Sequence, residues 1–214
     1  MSSAAARLAA LSAVALLVVG CAHTVQGSAT RAAPGIDDES HSPVDVESVM
    51  LDQSQMRAIT GAGESLTVVP SMDGKVPVDV SDLMNGTPKD CQWYFAETQT
   101  FGPEVEEFHK TTFQNPPDGG LISEGAAAYR DPETARHAFA DLVGRVYDCG
   151  STELGSTFIG EWTADADTLR MRSTGTCGRD YRIKNVVLAE VSFCSFPESI
   201  PGIIMTNIMD KVPN

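Results

Sequence analysis

Apolar residues fill positions 8–19 behind a single positive charge, Arg7, broken only by Ser12, and the run closes at Leu17-Val18-Val19-Gly20-Cys21. The run is too short to cross a bilayer core of about 30 Å and has the length of a signal-peptide core. Residues 22–42 show no hydrophobic period and are rich in Ala, Ser, Thr, Gly and acid, the composition of a disordered tether reaching roughly 25 Å. Apolar positions return at Val44, Val46, Val49, Met50 and Leu51. Asp52, with Gln55 three residues on, reads as a capping box, and Met56, Ala58, Ile59 and Gly61 complete a short helix with a glycine stop. The pattern weakens over 62–90, where it supports a strand at Leu66–Val69 and a turn at Asn85-Gly86-Thr87-Pro88. Trp93-Tyr94-Phe95 predicts a short buried helix.

From there the periods are clearer. Strands at Val105–Phe113 and Leu121–Tyr129 flank the proline-stiffened loop that starts at Asn115 and closes at Gly120. Asp131-Pro132 opens a helix, with aspartate as N-cap and proline in the first turn. Its face Ala135, Phe139, Leu142, Val143 and Val146 is apolar, Glu133, Arg136, His137, Asp141 and Arg145 lie opposite, and it ends at Cys149-Gly150. Strands are expected at 157–163 and 168–174, turning at Asp165-Ala166-Asp167, and at Asp180–Lys184 and Val187–Phe193, meeting at Asn185-Val186. A closing helix over 200–212 turns Ile203, Ile204, Ile208 and Val212 inward. Strands in the middle with helices on either side predict an α+β fold, a mainly antiparallel sheet packed with helices. The organisation expected is a signal peptide at 1–20, a tether at 21–42 and one domain at 43–214.

The stretch Val18–Cys21 resembles the lipobox of bacterial lipoproteins. That resemblance implies that the Cys21 sulfur receives diacylglycerol, that cleavage precedes it, and that the new amino terminus is acylated, as with palmitate. Two or three chains, at about 0.8 kcal/mol per buried methylene, anchor a domain to the bilayer where one would not. The alternative is an ordinary secreted protein cut near Ala22, with Cys21 incidental. With Cys21 assigned to lipid, Cys91, Cys149, Cys177 and Cys194 remain, and an even count in an exported chain predicts two disulfides. A two-residue turn at Asn185-Val186 sets Cys177 opposite Cys194, leaving Cys91 for Cys149. The same register sets Tyr181 opposite Glu190 and Asp180 opposite Val191, which mixes apolar and polar residues on each face and calls for a bulge near Gly178.

Charge narrows the partners. The chain carries 15 basic and 29 acidic residues; removing 1–20 takes away Arg7 alone, leaving 14 against 29 and a net charge of −15. Nucleic acid is thereby disfavoured as a partner. Neither G-x-S-x-G nor C-x-x-C occurs, and no zinc spacing, calcium loop or dinucleotide fingerprint is complete, so no cofactor, metal or catalytic residue is expected. His137 with Asp141 reads as a surface pair, and His109 as a core or rim residue. Arg170 and Arg172 alternate with Leu169 and Met171, and Arg179 and Arg182 follow on the next strand. These four arginines either form an anion-binding surface or pair with the abundant acids.

Several features together resemble the PknH-like extracellular sensor domain of mycobacterial receptor kinases and lipoproteins: the capped helix at 50–61, Asp90-Cys91, the helix at 131–146 leading to Cys149, Cys177 and Cys194 around the strand at 186–191, and the ending Ile208-Met209-Asp210-Lys211-Val212. The resemblance spans about residues 44–213. It implies disulfides joining first to second and third to fourth cysteine, and a cleft that receives an unidentified extracellular ligand. The chain departs from the receptor kinases in having no kinase and no membrane helix, so a bound ligand cannot signal by phosphorylation in cis. The expected function is a non-enzymatic, extracytoplasmic, membrane-anchored protein that binds a small polar or cell-wall-derived ligand. The alternatives are an envelope protein that docks another protein, or a hydrolase without a recognisable motif.

Overall fold

In the computed structural model, which describes residues 42–83, 86–173 and 175–214, every strand pairing is antiparallel. The strands are β1 (Thr67–Gly74), β2 (Glu107–Asn115), β3 (Gly120–Ala128), β4 (Glu161–Ala164), β5 (Thr168–Arg172), β6 (Cys177–Lys184) and β7 (Val187–Cys194). They form one sheet in the order β1-β2-β3-β7-β6-β5-β4. The helices are α1 (Val46–Val49), α2 (Gln53–Thr60), α3 (Glu97–Thr100), α4 (Pro132–Gly150), α5 (Gly155–Ile159) and α6 (Ser199–Lys211). A 3-10 segment, Lys89–Phe95, precedes α3.

Each face of the sheet carries its own core. On the first face α1, α2 and α6 bury Val46, Met56, Phe113, Ile122, Val191 and Ile204. On the second, α4, α5 and the 3-10 segment bury Trp93, Tyr129, Phe139, Leu142, Tyr181 and Leu188. The central strands β3 and β7 are therefore covered on both sides, and small residues such as Ala126, Ala127 and Ala128, all fully buried, let both layers approach.

Local chemistry sets the helix ends. The Asp52 carboxylate accepts from Gln55 N at 2.9 Å while Gln55 Oε1 accepts from Asp52 N at 3.1 Å, closing the capping box, and Gly61 ends α2 at φ 69°. Asp131 Oδ1 accepts from Thr134 N at 2.8 Å at the start of α4. The last turn of α6 is held by Lys184 Nζ, which donates to Met209 O at 3.0 Å and Val212 O at 2.7 Å.

The α+β class and both disulfides are as expected: Cys91 joins Cys149 and Cys177 joins Cys194, with Cα separations of 4.8 and 4.0 Å. Three local expectations are corrected. No bulge interrupts β6 and β7, whose register runs unbroken from Cys177 opposite Cys194 to Lys184 opposite Val187. The mismatch that called for one disappears because both faces are buried and Glu190 has ionic partners on the second. Residues 157–163 are not one strand, since α5 occupies 155–159 and β4 starts only at Glu161. Gly160 sits between them at φ +65°, where a Cβ would lie 1.9 Å from Arg172 O, so backbone geometry rather than side-chain period decides this stretch. Ile203 is 44% exposed, whereas Ile204, Ile208 and Val212 turn inward as expected, joined by Ile200 and Met205.

Candidate functional site

Half of the second face is covered by helix and half is not, and the strands change chemistry at that line. Reading second-face positions at period two, β2 runs Phe108, Lys110, Thr112; β3 runs Ala127, Gly125, Ser123; β7 runs Leu188, Glu190, Ser192; and β6 runs Ile183, Tyr181, Arg179. Apolar residues lie under α4, and polar ones floor a cavity of about 510 Å³ beyond it. The cavity is walled by Tyr94, Phe95, Ala96 and Glu97 and by β1 with the chain that follows, from Ser71 to Val80. Five of the eight large apolar residues exposed among the described residues line it: Met72, Val76, Val78, Val80 and Leu121.

The floor is an ionic network. Lys110 Nζ donates to Glu190 Oε1 at 2.9 Å and lies 3.0 Å from Glu97 Oε1. Its stem lies over Gly125, where a Cβ would just reach van der Waals contact with Lys110 Cγ at 3.4 Å. Arg179 stacks over the Tyr94 ring at 4.0 Å and donates through Nη1 to Tyr94 O at 3.1 Å and to the Tyr181 hydroxyl at 3.4 Å. Its Nε is buried without a hydrogen-bond partner. The Thr112 and Ser123 hydroxyls, both buried, pair at 2.8 Å.

Electrostatics follow from this geometry. Burial opposes the charge on Glu190, yet the Lys110 ammonium and Arg179 guanidinium pull its carboxyl down to about 2. Burial likewise works against the Lys110 ammonium, and the Glu190 and Glu97 carboxylates outweigh it and hold its pKa above the ordinary value. Desolvation raises the Tyr181 phenol well above its usual range, so it stays neutral. The floor therefore sets two basic side chains, Lys110 and Arg179, among two acidic ones, Glu97 and Glu190.

Glu97 ties floor to wall. Its Oε2 accepts from Val78 N at 3.0 Å, its own N donates to Val78 O at 2.7 Å, and Val80 N donates to Phe95 O at 3.0 Å. The apolar arm from Val76 to Val80 is thus fastened beside the ionic floor by the same carboxylate that pairs with Lys110.

A second depression of about 810 Å³, lined by Asp45, Glu47, Glu106 and Glu107, lies on the other side of Val76 and Phe108. At its edge His109 Nε2 lies 2.9 Å from Asp73 Oδ1 and 3.3 Å from Thr111 Oγ1, while Nδ1 is buried and unpartnered. A hydrolytic relay puts carboxylate and nucleophile on opposite ring nitrogens. Here both address the same one. Among the described residues no group of three or more His, Cys, Asp or Glu is placed to hold a metal ion.

The four arginines do not share a surface. Arg170, Arg172 and Arg182 lie on the first face with Asp180, whereas Arg179 lies on the second and reaches the cleft. Arg172 is engaged by Asp180 and Glu198 and stacks on Phe193 at 5.1 Å. His137 lies 3.8 Å from Asp141 on the exposed face of α4. Sequence reasoning singled out Arg179 but missed Lys110, Glu190, Glu97, Thr112 and Ser123. The one signal that pointed to them was the Tyr181–Glu190 mismatch across the hairpin. Cys21, the expected signal peptide and nearly all of the expected tether lie outside the described residues. No described helix is long and apolar enough to cross a membrane.

Comparison with curated proteins finds no match. Among solved structures, the extracellular domain of PknH from Mycobacterium tuberculosis is similar, with a TM-score of 0.56 and 17% identity over 80% of this chain and 97% of that one. At that identity the likeness concerns the fold. The family model for the PknH-like extracellular domain matches residues 42–211. With that match spanning most of the sequence and the fold shared with the PknH domain, the chain belongs to the PknH-like extracellular domain family.

Proposed function

We propose that this protein is a non-enzymatic extracytoplasmic binding protein, anchored to the membrane through acylated Cys21, that takes a small ligand in the cleft on the second face of its sheet. The observation that carries the reading is the cleft itself: about 510 Å³, in the range of small-molecule sites, with convergent polar groups on its floor and apolar walls. The family's description as an extracellular domain and the two disulfides support residence in an oxidising compartment outside the cytoplasm. The lipobox-like Val18–Cys21 supports the anchor. Docking of another protein is the second reading, and the exposed apolar residues favour it only in part, because most of them face the cleft rather than a flat patch.

Mass spectrometry of the full-length protein purified from its own envelope tests both parts. Under native conditions a retained small mass is expected, and under denaturing conditions an amino-terminal peptide that begins at an acylated Cys21. A bare protein mass argues against the cleft reading, and an unacylated terminus beyond residue 21 removes the anchor.

A further inference from the structure

The chemistry of the cleft narrows its ligand beyond the reading above, on which this step rests. Two features sit side by side. Along one wall Met72, Val76, Val78 and Val80 are 47, 72, 52 and 41% exposed, and Leu121 adds another apolar side chain at 38%. These five residues share the wall of a concave site beside convergent polar groups, the arrangement in which small ligands are held. On the floor, the acids are already committed: Glu190 to Lys110 and Tyr181, Glu97 to Lys110 and to Val78 N. The capacity left over is for donation. Arg179 Nε has no partner, and the mutual Thr112–Ser123 bond leaves one hydroxyl hydrogen to give.

We infer that the cleft binds a single-chain amphiphile with a monoanionic carboxylate head, its alkyl chain along the Met72–Val80 wall and its head at the Arg179 end of the floor. Arginine receives carboxylates as a planar fork, and the Tyr94 ring beneath the guanidinium fixes the plane of that fork. The charge count favours one negative charge over two. Lys110 and Arg179 are balanced by Glu97 and Glu190, so the floor is neutral overall and its remaining donors offset a single added negative charge more readily than two. A cationic head would find no uncommitted carboxylate among these four.

The test uses the full chain carrying Cys21→Ser, which removes the acyl anchor and its competing chains. Calorimetric titration below the micelle concentration compares laurate, dodecyltrimethylammonium and acetate. Laurate is expected to bind with one-to-one stoichiometry, at least about tenfold more tightly than the cation of equal chain length, and acetate not measurably. Val76→Asp/Val78→Asp changes only exposed wall positions and should weaken laurate by about tenfold or more. Arg179→Lys, which keeps the charge but not the fork, should weaken it by about tenfold. Equal binding of dodecyltrimethylammonium overturns the head assignment, and unchanged laurate affinity in the wall variant overturns the placement of the chain. If laurate does not bind while the native protein retains a polar mass, the cleft reading stands and this inference falls. If laurate does not bind but the chain floats with phosphatidylglycerol vesicles and the wall variant does not, the apolar residues serve a bilayer surface and the inference falls.

Discussion

Lys110→Met is the most informative single perturbation of the cleft. The substitution keeps the length and apolar stem of the side chain and removes the ammonium that lies 2.9 Å from Glu190 Oε1 and 3.0 Å from Glu97 Oε1. Glu190 is 1% exposed, so its charge depends on those partners. Holding its carboxyl at about 2 rather than 4.5 is a preference for the charged form of about 3 kcal/mol, supplied against burial by Lys110 and Arg179 together. Removing one partner of a buried pair costs about 3–5 kcal/mol. Glu190→Gln should cost about 2 kcal/mol, because Lys110 keeps Glu97. The double variant should cost about 2 kcal/mol less than the sum, since the charge stranded by the first change is absent. Because the folded pKa is depressed, the contribution is complete above 4.5 and fades as pH falls toward 2, so the cost of Lys110→Met should shrink by about 2 kcal/mol between pH 7 and pH 3. Urea unfolding followed by circular dichroism measures all four proteins. Additive costs within about 0.5 kcal/mol, or a cost independent of pH, would refute the argument that these groups act as one network.

Other sites give independent outcomes. On the opposite face, burial raises the Glu124 carboxyl to about 8, so its neutral form is favoured, and the stability it gives below 4.5 is lost as pH rises toward 8. Glu124→Gln keeps an acceptor for Leu51 N, which lies 3.2 Å away, and should gain about 3 kcal/mol on wild type between pH 5 and pH 8; an equal melting-temperature difference at both pH values refutes it. Replacing both Cys177 and Cys194 by Ala opens a loop with a sequence separation of 17 and should cost about 3 kcal/mol of unfolding free energy, with a cost near zero counting against the role of that bridge. Gly160→Ala places a methyl 1.9 Å from Arg172 O at φ +65°, and a loss of at least about 2 kcal/mol in urea unfolding is expected; a neutral change contradicts the fixed α5–β4 junction.

Much of the fold was legible because its signals are local. The capping box at Asp52 and Gln55, the Asp131-Pro132 start and the Asn185-Val186 turn each satisfy backbone groups within a few residues, and each formed where expected. The junction at 155–160 was not legible, because Gly155 and Gly160 are required there by close approach to Cys149 O and Arg172 O, contacts set by tertiary packing. The cleft was hidden for a related reason. Lys110, Thr112, Ser123 and Glu190 come from three strands, and each alone reads as an ordinary polar position on a half-solvated sheet. Only pairing β2 with β3 and β3 with β7 gathers them, and only the folded chain shows that Thr112, Ser123 and Glu190 are buried. The Tyr181–Glu190 mismatch recorded that burial in the sequence as an apparent defect of register.

The central claim is that the uncovered half of the second face is where a ligand sits. Hydrogen exchange of the full-length protein isolated from its envelope, compared with the same protein after organic extraction and return to buffer, tests it whatever the ligand's identity. Slower exchange before extraction is expected in segments 76–80, 94–97, 108–112, 177–181 and 190–194, with α1, α2 and α6 unchanged. Protection confined to those three helices, or identical exchange in both preparations, would contradict it.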